Sequence, residues 1–321
     1  MKPPFDITPK MLTLCTEISL KIGKCEGLNI SVPSPKLRRQ NRIRSIQASL
    51  SIEGNTLSES QVTDILDNKR VIGPQKDILE VKNAIETYAK IQEFKSNKLT
   101  SLLSAHKILM NGLIDNPGKL RTQNIGVYKM DRIVHMAPKY TQVPQLIENL
   151  YNCIQKEHEI HTLILSCVFH YELEFIHPFS DGNGRMGRLW QTRILMDVHP
   201  LFEYIPIESL IKKKQKKYYD ALESSDKSGK STIFIEFMLE SINNILAEFI
   251  EEAKPEPQTP VIRLKEARDH FKNNRFLRKD YMKLHKTLST ATASRDLRYG
   301  VEEKMLKKSG DKAMTTYVFV K

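Results

Sequence analysis

The chain has 321 residues, 40% hydrophobic and 27% charged, with a formal net charge of +12. That is long enough for two domains and too rich in aliphatic and aromatic residues for global disorder. No run approaches the roughly 20 apolar residues of a membrane span, and Met1-Lys2-Pro3-Pro4 leads into no apolar signal segment, so the expectation is a cytoplasmic protein with no membrane partner.

In chain order, residues 8–25 carry apolar residues at helical spacing, and 26–35, with Gly27, Pro33 and Pro35, read as a loop. Residues 36–51 are basic, and Leu37, Ile43, Ile46 and Leu50 share a helix face; the helix breaks near Gly54-Asn55. Ser58-Glu59-Ser60-Gln61 has the form of a capping box opening the next helix. Residues 75–95 and 97–114 are amphipathic, the second ending at Asn111-Gly112. Val127-Tyr128 and Ile133-Val134 are β-prone and flank Met130-Asp131-Arg132, which predicts a hairpin within 119–138.

Helical periodicity resumes at 143–158 and 161–175, and the second stretch is so apolar that it should be the central buried helix. A further helix begins near Arg185 and ends before His199-Pro200, followed by helices over 208–224 and 231–252. Cys15, Cys25, Cys153 and Cys167 have no metal-ligand spacing; Cys153 and Cys167, in apolar helical stretches, are expected in the core, and His170 is expected to be structural. Residues 253–260, AKPEPQTP, read as a linker. The last 67 residues hold 16 Lys or Arg against 8 Asp or Glu, a local excess that suggests a polyanion partner.

The chemistry concentrates at 177–188, HPFSDGNGRMGR. Gly182 and Gly184 flank Asn183 just before a helix, so backbone N–H groups and the positive end of the helix dipole can converge on an anion. Arg185 and Arg188, three residues apart, complete a polyphosphate cradle that lacks the Gly-Lys-Ser/Thr of a Walker loop. His177 is placed to act as a general base, and Asp181 is a hard oxygen donor suited to Mg2+ between phosphates.

His-x-Phe-x-(Asp/Glu)-Gly-Asn-Gly-Arg-x-x-Arg is the signature of the Fic family, and His177, Phe179, Asp181, Gly182, Asn183, Gly184, Arg185 and Arg188 match it without exception. The chain resembles that family over 36–245, with further landmarks at Tyr218-Tyr219-Asp220-Ala221-Leu222 and His135-Met136-Ala137-Pro138. The resemblance implies transfer of AMP from ATP, with Mg2+, to a Tyr, Thr or Ser hydroxyl of a target protein. His177 would deprotonate the hydroxyl and Asp181 would hold the metal. Gly182, Asn183 and Gly184 would form the anion hole, Arg185 and Arg188 would bind the β- and γ-phosphates, and Phe179 would anchor the loop. In the related Doc proteins a lysine replaces the second loop glycine and the chemistry becomes phosphorylation; Gly184 favours AMP transfer. Val127, Tyr128, Ile133 and Val134 would form a flap that pairs with the target's main chain.

Upstream, Ser49 to Gly54 fits Ser/Thr-x-x-x-Glu-Gly/Asn, which resembles the family's inhibitory motif, with Ser49, Glu53 and Gly54 at its fixed positions; the alternative is an ordinary helix terminus. The order helix, turn, helix, hairpin over 276–321, with Ser289 as a cap, a turn at 310–312 and a strand over 315–320, resembles a winged helix-turn-helix. Thr292, Arg295 and Arg298 are then the candidate DNA contacts, and protein binding is the alternative.

The fold expected is mainly α: a Fic helical core with a β-hairpin flap, plus a small C-terminal winged-helix domain. The boundaries are 1–70 for the N-terminal region with the inhibitory helix, 71–252 for the catalytic core, 253–260 for the linker and 261–321 for the last domain. A DNA-binding regulator whose core only senses nucleotide is the rival reading. Removal of AMP, another nucleotide donor, self-modification and a homodimer stay open.

Overall fold

The computed structural model describes residues 3–129, 132–156, 160–253, 259–285, 288–311 and 315–320. The chain divides into two compact units, Met1–Lys254 and Pro255–Lys321.

The first unit is helical. Helix α1 (Pro9–Gly27) starts on a Thr8 side-chain cap with Pro9 in its first turn, and α2 (Pro35–Ile52) repeats the device with Ser34 and Pro35. Helix α3 (Glu59–Leu66) opens on the reciprocal Ser58–Gln61 capping box. Helices α4 (Gln75–Ala89) and α5 (Leu99–Leu109) follow, with a 3-10 turn between them at Ile91–Glu93. Helix α5 stops short of the expected Asn111-Gly112 because Asn83 of α4 donates to the carbonyls of Leu109 and Asn111 at 3.2 and 2.8 Å, drawing the chain out of the helix.

Strands β1 (Gly126–Lys129) and β2 (Arg132–Met136) form the expected antiparallel hairpin, pairing Tyr128 with Ile133 and bulging between Val127 and Tyr128. Their backbone pairing is described. Met130, Asp131 and the side chains of Val127, Tyr128, Ile133 and Val134 lie outside the described residues.

Helix α6 (Val143–Lys156) leads to α7 (Thr162–Ile176), the central helix, buried around most of its circumference. One apolar cluster packs Cys167, Val168 and Tyr171 of α7 against α1; the other packs Phe169, Leu173 and Ile176 against α2 and α4. All four cysteines are buried free thiols. Helix α8 (Asn183–Val198) runs beside α7 and begins two residues before Arg185, because Gly182 at φ 84° takes the cap position. The expected helix at 208–224 is two, α9 (Ile207–Lys213) and α10 (Gln215–Ser228), and α11 (Thr232–Ala253) closes the unit.

The second unit comprises α12 (Pro260–Phe271), β3 (Phe276–Leu277), α13 (Arg278–Leu284), α14 (Thr290–Glu302), β4 (Leu306–Ser309) and β5 (Thr316–Phe319). Its antiparallel sheet has the order β3-β5-β4. The core is Leu264, Phe276, Tyr281, Leu297, Leu306 and Phe319. A buried two-point pair between Arg263 and Asp296, at 2.6 and 2.7 Å, joins α12 to α14. The linker residues 254–258 and the turn residues 312–314 lie outside the described residues. Among the described residues no helix is long and apolar enough to cross a membrane.

Candidate active site

Helix α7 ends at His177, whose backbone is left-handed (φ 50°, ψ 60°) while its N–H still donates to the Leu173 carbonyl at 3.0 Å. A residue with a Cβ in that region costs about 1–2 kcal/mol, so the surroundings must hold it there. Arg121 does so: its Nε donates to the His177 carbonyl at 2.8 Å, and its backbone N–H to that of Pro178 at 2.9 Å. The same buried guanidinium donates to Gln123 and Pro138, on the two sides of the hairpin. His177 Nδ1 lies 3.1 Å from the Glu174 carbonyl, which can only accept. In the neutral ring Nδ1 therefore carries the proton and Nε2 the lone pair.

The next turn is anchored from below. Phe179 is fully buried and stacks on His106 at a ring separation of 3.7 Å. His106 Nδ1 accepts from the Gly118 N–H at 2.8 Å, which places its proton on Nε2, and Nε2 donates to the Asp181 carbonyl at 3.0 Å. Burial pushes the His106 pKa down to about 4, so the ring stays neutral. Asn183 makes a reciprocal amide pair with Phe179, donating to its carbonyl and accepting from its N–H, both at 2.9 Å. The Asn183 side chain thus shapes the loop, and what it presents at the helix entrance is its backbone N–H.

That entrance has the chemistry to attract an anion. The first N–H groups of a helix lack intrahelical acceptors and sit at the positive end of its dipole. Gly182 supplies no capping side chain, and an added Cβ there would fall 2.7 Å from Met110 Sδ. At Gly184 an added Cβ would lie 2.5 Å from Glu53 Oε1, 3.2 Å from Arg188 Nη1 and 3.3 Å from Glu174 Oε1. Two carboxylates and a guanidinium therefore converge on the first turn of α8.

The two motif arginines, expected to cradle phosphates together, are each engaged with carboxylates. Arg188 is buried; its Nη2 donates to Glu53 Oε1 at 2.7 Å and to the Ser49 carbonyl at 2.9 Å, and its Nε to Ser49 Oγ at 3.2 Å. Burial alone would lower its pKa, but the charge of Glu53 leads the contributions that raise it, so the guanidinium stays charged. Glu53 caps α2 and Gly54 turns the chain away at φ 94°. Arg185 Nη1 donates to Glu80 Oε1 at 3.0 Å and Nη2 to Asp181 Oδ1 at 2.9 Å, while its buried Nε has no partner among the described residues. His170 is structural, held between Gln191 at 2.7 Å and the Tyr218 hydroxyl at 3.1 Å, and the oxygen of that hydroxyl lies 3.3 Å from Glu174 Oε1.

Among the described residues no group of three or more His, Cys, Asp or Glu could hold a metal. Asp181, half exposed at the loop's edge, is a single hard oxygen donor. One carboxylate fits Mg2+ held chiefly by substrate phosphates and water. Sequence reasoning did not find Arg121, His106, Glu80 or Asn55, whose contacts with the loop and with the 53–55 turn come from distant segments.

In the second unit Arg295 and Arg298 are exposed on α14, with Thr292 half-buried beside them. Neither arginine is in an ion pair among the described residues. Arg278 donates to Ser294 at 2.9 Å, which sets a third cation beside the same helix.

The first unit is thus a helical protein that sets a histidine at a helix C-terminus, the N-terminus of another helix six residues on, and buried arginines in the turns that follow. The Fic/DOC family model matches residues 97–195. A Fic family protein of known structure from Desulfovibrio desulfuricans G20 is 36% identical, with a TM-score of 0.77, covering 100% of this chain and 98% of that one. The chain belongs to the Fic/DOC family. A Fic domain containing signaling protein from Bacteroides thetaiotaomicron shares the fold at 20% identity and a TM-score of 0.61, covering 76% of this chain and 100% of that one. Protein adenylyltransferase Fic of Nematostella vectensis is 27% identical over 231 residues, 61% of this chain and 51% of that protein. The chain spans about half, or less, of the length of the curated relatives it matches.

Proposed function

We propose that the first unit transfers AMP from ATP to a hydroxyl of a target protein and is held inactive by Glu53. The observation that carries the reading is the placement of a histidine, its Nδ1 proton committed to the Glu174 carbonyl, immediately before the open N-terminus of α8. The name protein adenylyltransferase carried by relatives supports it.

In this mechanism His177 Nε2 takes the proton of the incoming hydroxyl. The oxygen bonds to the α-phosphorus as the bond to the bridging oxygen breaks, and pyrophosphate leaves with that electron pair. The N–H groups of Asn183, Gly184 and Arg185 hold developing charge on phosphate oxygens, donors already oriented before reaction. Asp181 would hold Mg2+, which supplies charge neutralisation on the phosphates when bound. Arg188 binds the terminal phosphate only after Glu53 withdraws. The flap strands offer main-chain pairing to the target, or to a segment of this chain itself. In the Glu53→Gly variant, label passing to protein from α-labelled but not γ-labelled ATP is the expected result; label from γ-labelled ATP would mean phosphoryl transfer, and none from either would overturn the enzyme reading.

A separate observation favours a second activity. The order α12-β3-α13-α14-β4-β5 with a β3-β5-β4 sheet supports a winged helix-turn-helix. Exposed Arg295 and Arg298 on α14, in no ion pair among the described residues, suit duplex DNA, α14 lying in the major groove. A protein partner is the competing outcome.

A further inference from the structure

Glu80 is a carboxylate on α4, 7% exposed, and its two oxygens face different ways. Oε1 accepts from Arg185 Nη1 at 3.0 Å. Oε2 accepts from Asn55 Nδ2 at 2.8 Å. Asn55 is two residues beyond Glu53, and the segment after it is tied to the start of α4: Asn55 Nδ2 also donates to the Asp77 carbonyl at 3.1 Å, and Thr56 donates its N–H to Asp77 Oδ2 at 2.8 Å. Arg185 divides its guanidinium, giving Nη1 to Glu80 and Nη2 to Asp181. A continuous chain of buried or half-buried polar contacts therefore runs from the 53–55 turn, through Glu80 and Arg185, to the carboxylate that would meet the metal.

We propose that Glu80 is a positioning residue that sets how much of Arg185 is spent on Asp181, and that Asn55 sets the division. With Asn55 in place, Glu80 has one oxygen to offer, and Arg185 neutralises Asp181 with its other end. When the 53–55 turn withdraws, the second Glu80 oxygen becomes an acceptor for Arg185, and a carboxylate that takes both Nη groups is the stronger partner. Arg185 then leaves Asp181, whose oxygen is released for a divalent cation. Withdrawal of Glu53 would thus do two things at once: it frees Arg188 for the terminal phosphate and frees Asp181 for the metal. Linkage makes the coupling reciprocal, so a nucleotide–metal complex favours the withdrawn turn.

The proposal rests on the reading of 181–188 as an ATP site. Its test is binding rather than turnover: the Mg2+ concentration at which ATP binding is half-maximal, measured by calorimetry on the full chain. In Glu80→Gln, Arg185 loses its charged partner and falls back on Asp181, so the Mg2+ requirement should rise about tenfold, the scale of a hydrogen bond to a charged group. Asn55→Ser keeps a short acceptor for the Leu57 N–H but no longer reaches Glu80. It should lower the requirement severalfold, and it serves as the test if Glu80→Gln fails to fold. A purely structural Glu80 would lower the melting temperature and leave the Mg2+ midpoint in place, and an unchanged midpoint in either folded variant overturns the proposal. Failure of the wild-type chain to bind ATP in a Mg2+-dependent way would instead overturn the underlying site reading.

Discussion

Arg188 Nη2 and Glu53 Oε1 stand 2.7 Å apart and join two helices whose contributing residues are separated by 135 positions in the chain. The arginine side chain is 1% exposed and the glutamate 32% exposed, so the pair is closed on the arginine's side and open on the glutamate's. Glu53 also lies against Gly184, in the first turn of α8, where the helix dipole favours an anion. The carboxylate therefore occupies the surroundings that a phosphate would need.

Glu53→Gly should raise AMP incorporation by about tenfold or more, since a misplaced reacting group costs on the order of 100-fold. Arg188→Ala added to it should remove the gain. Leaving Arg188 with Ser49 as its remaining hydrogen-bond partner should also lower stability by about 1–3 kcal/mol. Incorporation and melting curves for the three proteins separate a brake from a purely structural contact, which would lower the melting temperature with no gain in rate.

His177→Ala should reduce transfer by about 10²–10⁴-fold, the usual contribution of a general base, while ATP binding is retained. Rates measured in the Glu53→Gly background, alongside ATP affinity by calorimetry, check this. Near-normal transfer would remove His177 from the mechanism.

Arg121→Lys should act on rate more than on affinity. One guanidinium holds the His177, Gln123 and Pro138 carbonyls, and a lysine ammonium cannot keep that fork geometry. A fall in kcat of about tenfold with KM for ATP little changed is expected, since small displacements of a base are costly. A change confined to KM would mean that Arg121 does not position His177.

His106 makes stability depend on pH. Its folded pKa, lowered by burial to about 4, lies below the ordinary value of 6.5. The unfolded chain binds the proton first on acidification, so the contribution of His106 is fully present above pH 6.5 and is lost as pH falls through 4. The loss should amount to about 2–3 kcal/mol. His106→Gln, which can still accept from Gly118 and donate to Asp181, should flatten urea-denaturation midpoints between pH 6.5 and 4. An unchanged slope would point to other groups, such as buried His170, whose pKa burial lowers to about 3.

Arg295→Ala and Arg298→Ala in the full chain should each weaken duplex DNA binding and lower the slope of log affinity against log salt by about 1, as expected for phosphate contacts. A loss that depends on DNA sequence instead would place the residue on base edges. No binding by the wild-type chain at low salt would favour a protein partner.

The 177–188 loop was legible because its parts are contiguous. His177 through Arg188 lie within twelve residues, so a helix end, a glycine turn and a helix start could be read from order alone. The helix start at Ser58 was equally local, since capping is decided within one turn. The end of α5 was not, because Asn83 of another helix takes its last carbonyls. Nor was the break at Lys214 between α9 and α10, where neither proline nor glycine marks the chain.

The sequence by itself determined the family and the identity of the chemical groups: an imidazole, a hard oxygen, open N–H donors, two arginines and one upstream glutamate. What those groups face was decided only by the tertiary structure. Arg185 and Arg188 are three residues apart, yet each is captured by a carboxylate on a different helix, Glu80 of α4 and Glu53 at the end of α2. His106 and Arg121 hold the loop from 75 and 56 residues away. The physical reason is one of range: helical periodicity and turn chemistry act over a few residues. A buried charge finds its partner through packing, which places segments side by side without regard to their distance along the chain.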